Sequence, residues 1–67
     1  MREQMIQTLK QHAKANSQLH CMNIEVYLKK PAGIREPSDI MEAIQAELDK
    51  MAMHADRLDI LDNYFNE

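Results

Sequence analysis

KKPAGIREPSDI, residues 29–40, holds both prolines and the only glycine of the chain. Whether it is a ligand-binding loop or a turn between two helices decides the fold. Lys30 precedes Pro31 and is therefore biased out of helical geometry. Pro31-Ala32-Gly33 reads as a turn, with Gly33 able to take a left-handed position. Pro37 suits the first turn of a helix, and Ser38 or Asp39 can cap its free N–H groups. Asp39 followed by Glu42 resembles a capping box, and an acidic first turn complements the helix dipole. Ile34 is expected to plug the end of the core. The stretch reads as a hinge, with one helix expected at 2–29, a turn at 30–37 and a second helix at 38–64.

Outward from the hinge, Arg2 to Lys29 contains neither Gly nor Pro, and good helix formers dominate its first two thirds. Its apolar positions (Met5, Ile6, Leu9, Ala13, then Leu19, Ile24, Val26, Tyr27 and Leu28) are interrupted by His12, Asn16, Ser17, His20 and Asn23. NIEVYL, residues 23–28, has strand-like residues, but an isolated strand has nothing to pair with, so it reads as helix. In the second segment Met41, Ile44, Leu48, Met51, Ala55, Leu58 and Phe65 fall on a 3-4 spacing broken at Asp62. Ile40, Ala52 and Leu61 widen that stripe to the breadth of a core-facing helix. Two helices of matched length, each about 40 Å at 1.5 Å per residue, predict an all-α, antiparallel two-helix hairpin forming a single domain over residues 1–67.

A hairpin of this size buries only about 60% of its unfolded surface and is marginal alone. Small scaffolds compensate with disulfides, a metal or oligomerisation. Cys21 is the only cysteine, which excludes an internal disulfide and any zinc site built on several cysteines. A second apolar row at Ala46, Met53 and Ile60, near Tyr64, is left over from the main stripe and has the character of an interface. The expectation is a homodimer closing into a four-helix bundle, with Ile44, Leu48, Met51, Met53, Leu58, Ile60 and Tyr64 as interface residues.

The net charge of −3 is divided unevenly. Residues 1–33 carry five bases against two acids, whereas residues 34–67 carry three bases against nine acids. Such halves are suited to face each other, or copies of each other. The opening MREQMIQTLKQH has no apolar run and is not expected to be a signal peptide. No apolar stretch approaches the roughly 18 residues of a membrane span. One free cysteine points to a reduced, cytoplasmic setting.

Glu25-Val26-Tyr27-Leu28, Pro31, Gly33-Ile34, Glu36, Asp39-Ile40, Glu42-Ala43-Ile44 and Glu47-Leu48 form a pattern across residues 23–48. Through it the chain resembles a group of short helical-hairpin proteins, of uncharacterised function, from tailed phages of marine cyanobacteria and ocean metagenomes. It departs from that group's pattern at Lys30, where the group has Asn, and at Pro37, where it has His. The resemblance implies a helical hairpin and a phage origin, hence the host cell cytoplasm, and brings no activity with it.

His12, Asn16 and His20 lie four residues apart on one helical face. Pairing residues whose numbers sum to about 67, as an antiparallel hairpin does, sets His12 opposite His54 or Ala55 and His20 opposite Glu47. Imidazole with carboxylate suits zinc or iron, so His12, His20, His54 and Glu47 are candidate metal ligands, against the plainer reading of a polar layer that fixes register. The Glu-x-x-His pair of carboxylate-bridged di-iron bundles does not occur. Cys21 is a bystander, because His20 sits about 100° round the helix from it and is poorly aimed as a base. No Ser/His/Asp constellation or Gly-rich phosphate loop occurs.

Lys29, Lys30 and Arg35, near the amino end of the second helix, form an anion-binding candidate. The acidic overall balance disfavours a nucleic-acid partner. The sequence therefore predicts a non-enzymatic, cofactor-free helical protein acting through self-association and contact with another protein, as a phage accessory protein does. A metal-binding bundle and a nucleic-acid-associated regulator using the basic edge of the first helix are the alternatives.

Overall fold

The structure, a computed structural model, describes residues 1–29 and 37–65. Among them run two α-helices and no strand: α1, Arg2–Lys29, and α2, Pro37–Tyr64, each of 28 residues. NIEVYL lies within α1, where its neighbours sustain the helix and no second strand competes for it. The first and last turns are closed by Met5 N–H donating to the Met1 carbonyl at 3.0 Å and Phe65 N–H donating to the Leu61 carbonyl at 3.1 Å.

Pro37 occupies the first helical position, where its missing N–H is no loss and its fixed φ favours the helix. That corrects the expected caps: Ser38 and Asp39 lie inside the first turn. Asp39 there still complements the positive end of the helix dipole. The expected turn residues Lys30, Pro31, Gly33, Ile34 and Arg35 lie outside the described residues.

The helices pack antiparallel. Lys10 meets Asp62, His12 meets His54, and His20 meets Glu47, so numbers fall along one helix as they rise along the other. The hairpin measures 50 × 15 × 12 Å, and its radius of gyration of 15.4 Å exceeds the roughly 11 Å of a compact domain of this length. A two-helix layer of this shape has no interior volume to enclose large side chains. Among the described residues only Ala13, 2% exposed, and His54, 7% exposed, are buried. Ala13 has the smallest side chain on its face, which lets the two backbones approach there.

The contact seam on α2 runs through Ile40, Ile44, Glu47, Met51, His54, Leu58 and Leu61. This corrects the expected stripe. Met41 is 61% exposed, Leu48 49% and Phe65 46%, and Ala52 and Ala55 are exposed as well. The physical reason lies on α1, whose middle presents Asn16, Ser17, His20 and Asn23 to the seam. His20 and Asn23 there find their partner in Glu47, which α2 turns inward with His54 while Leu48 and Ala55 face outward. Ile6, Ile24 and Tyr27 on α1 keep the two ends of the seam apolar.

Candidate functional site

Midway along the hairpin the seam becomes a polar layer. Its centre is Glu47 on α2, whose Oε1 accepts from His20 Nδ1 at 2.7 Å and from Asn23 Nδ2 at 2.9 Å. The two donors are three residues apart on α1 and so share a face, one turn apart, in reach of the same carboxylate oxygen. An ionised carboxylate only accepts, so the bond places the Nδ1 hydrogen on His20. The His20 and Glu47 side chains are 13% and 14% exposed, which shields the pair from most competing water. The hydrogen bonds from Asn23 and then His20 hold the Glu47 carboxyl below its usual 4.5, against burial, which pushes it up.

His54 stands two helical turns further along the seam. Its ring stacks on His20 at a centroid separation of 5.7 Å and 8° between planes. It meets the ring of His12 edge-on at 6.0 Å and 67°. Its Nδ1 is buried and has no hydrogen-bond partner. Burial first, then the charges of Arg57, His20 and His12, pushes the His54 imidazole below its ordinary 6.5. The ring is therefore held neutral, as a flat, weakly polar plate between two other imidazoles. Asn16, also on this stretch of α1, turns its Nδ2 back to the His12 carbonyl at 2.8 Å and is satisfied within its own helix.

The four candidate ligands His12, His20, His54 and Glu47 thus converge on one layer. They converge as stacked and hydrogen-bonded side chains: among the described residues, no three His, Cys, Asp or Glu groups are arranged to hold a metal ion. Cys21 is exposed. Lys29 is exposed at the end of α1, while Lys30 and Arg35 lie outside the described residues. Of the residues expected at an interface, Ile44, Met51 and Leu58 are half-buried in the α1–α2 seam, and Leu48, Met53, Ile60 and Tyr64 are exposed.

Two members of the site escaped the sequence reading. Asn23 was legible in principle, since it sits three residues after His20 and opposite the same stretch of α2. The Lys10–Asp62 ion pair, 3.1 Å apart, was concealed because Asp62 falls on the apolar stripe and looks like a break in it. Lys10 lays its aliphatic stem along the seam and reaches the carboxylate at the edge.

Beside the polar layer an apolar groove opens on one side of the hairpin, lined by Leu9, His12, Ala13, Arg57, Ile60 and Leu61. No helix of the described residues is long and apolar enough to cross a membrane. No protein family, curated protein or solved structure among those compared matches the chain, so the resemblance read at residues 23–48 gains no support from them.

Proposed function

We propose that the protein works by self-association, as a homodimer of hairpins forming a four-helix bundle, and by contact of that bundle with another protein rather than by catalysis. The observation that carries this reading is the surface. The chain exposes 5522 Å². A compact monomer of 7.8 kDa exposes about 4400 Å², leaving an excess of roughly 1100 Å². A stable dimer of standard size buries about 800 Å² on each partner, so pairing removes an area of the same order. The excess is apolar in large part: Leu9, Leu19, Val26, Met53 and Ile60 are each between 43% and 54% exposed.

The test is the mass in solution across a concentration series, by light scattering or sedimentation. Twice the chain mass at micromolar concentration is expected. A single-chain mass, with full helicity and a cooperative melt, overturns the reading. A setting as a phage accessory protein in the host cytoplasm rests on the resemblance at residues 23–48. The arrangement of the His/Glu layer does not favour the metal-binding alternative, and the overall net charge of −3 does not favour nucleic acid.

A further inference from the structure

Resting on the dimer reading, we infer which face receives the second copy and in which orientation: the face carrying the Leu9–Ile60 groove, with α1 of one copy lying over α2 of the other.

Two rows of residues flank the groove, each repeating every seven positions. On α1 the row is Met5, His12, Leu19 and Val26; on α2 it is Ala46, Met53 and Ile60. His12 and Ile60 line the same groove, which places both rows on one side of the hairpin. That side is apolar on both helices. On the opposite side Met41, Leu48 and Ala55 of α2 are met on α1 by Gln7, Lys14 and Cys21, with Leu28 the only large apolar residue of that row. The groove side, although Arg57 lines it, therefore offers the larger apolar surface to which both helices contribute.

Charge then selects the orientation. Two hairpins stacked face to face have a two-fold axis lying between the layers, either along the helices or across them. With the axis across, each helix lies over its own copy. The outer edge of the face on α2 carries Glu42, Asp49 and Asp56, again seven apart and all exposed. Placing α2 over α2 brings those two carboxylate rows side by side, with no base interposed from the same edge. With the axis along the helices, that acidic edge meets the partner's α1 edge of Thr8, Ala15, Met22 and Lys29, which has no acid and ends in a base. Like-charge repulsion rejects the first arrangement, and the second remains.

The arrangement fixes a contact. The contacts His12–His54 and His20–Glu47 give residue totals of 66 and 67, so Leu19 lies nearly level with Ala46, at a total of 65. An axis along the helices preserves level, and Leu19 of one copy faces Ala46 of the other. In the rejected arrangement Leu19 faces the partner's α1.

The experiment uses the full chain with Cys21→Ser, which removes the exposed native thiol. Leu19→Cys is placed in one preparation and Ala46→Cys in another, and helicity is checked for each. The two are mixed and oxidised mildly, and the disulfide products are identified by mass. The expected result is the mixed Leu19→Cys/Ala46→Cys disulfide, at least tenfold over either self-coupled product. Predominant self-coupling overturns the orientation. No disulfide at all, from a Cys21→Ser parent that scatters as a dimer, overturns the choice of face while leaving the dimer intact. A parent of single-chain mass removes the dimer, and this interface with it.

Discussion

Ile60 and Leu48 form a matched pair of probes, because both are aliphatic, both are on α2, and they are 50% and 49% exposed. They differ in the side of the hairpin they occupy, Ile60 lining the groove and Leu48 lying across from Lys14 and Cys21. Complete burial of such a side chain contributes about 1.5–3 kcal/mol, so the exposed half of Ile60 has about 0.75–1.5 kcal/mol still to gain at an interface. Truncation to alanine removes most of this, and a two-fold dimer loses it twice, giving about 1.5–3 kcal/mol. At 1.4 kcal/mol per tenfold, Ile60→Ala should raise the dimer Kd by about 10- to 150-fold. Leu48→Ala should leave it within about threefold. Alanine is the better helix former, so neither change unwinds α2 by itself. Sedimentation equilibrium across a concentration series, with helicity followed by circular dichroism, measures both constants. Equal shifts for the two variants would refute the choice of face, and no shift for Ile60→Ala in a still-helical dimer would refute the argument from burial.

The polar layer makes three further predictions. The His54 imidazole is depressed in the folded state, so the unfolded chain takes up its proton first, and the stability tied to it is complete above pH 6.5 and lost as pH falls through the folded value; melts at fixed protein concentration should shift to lower temperature between pH 7.5 and pH 5, and a flat profile would contradict this. His54→Leu removes an imidazole with an orphaned Nδ1 from a buried site, so its melting temperature should rise and its response to acid flatten; a lower melting temperature at pH 7.5 would mean that Nδ1 has a partner. Glu47→Gln keeps the shape but withdraws the charged acceptor shared by His20 and Asn23, so the variant should melt at lower temperature at pH 7 and converge with the parent in acid, where Glu47 itself is protonated and its contribution is already lost.

What could be read from the residues was whatever a single helix dictates by itself. The absence of Gly and Pro from Arg2 to Lys29 and the placement of Pro37 are local signals, and both helices follow them. The pairing of His20 with Glu47 was accessible because two helices of equal length leave little choice of register. The rotation of α2 was not accessible. Hydropathy ranks Leu48 and Ala55 above Glu47 and His54 as seam residues, and that ranking holds when the opposing helix is apolar. Here α1 offers His20 and Asn23, and the hydrogen bonds they would lose without Glu47 outweigh the burial of one leucine and one alanine. Periodicity read on one helix cannot report the polarity of its neighbour.

The same polar stretch explains how a thin hairpin keeps one register. A slip by one seven-residue repeat, about 10 Å of helix rise, would leave most of the apolar contacts replaceable, since Ile, Leu, Met and Ala recur along both seams. It would move Glu47 from beside His20 and Asn23 to a place beside Ala13 in one direction or Tyr27 in the other. A largely covered carboxylate would then keep the burial and lose both donors, and losing one partner of such a group costs more than forming the pair returns. His54 would move to Ile6 or onto His20, away from the gap above Ala13 that now admits it between two imidazoles. The apolar groups of the seam set how strongly the helices attract each other, and the His20–Glu47–Asn23 group sets where they stop. That division leaves the flanking rows outside the seam, where Leu19, Val26, Met53 and Ile60 are exposed and open to the proposed second copy.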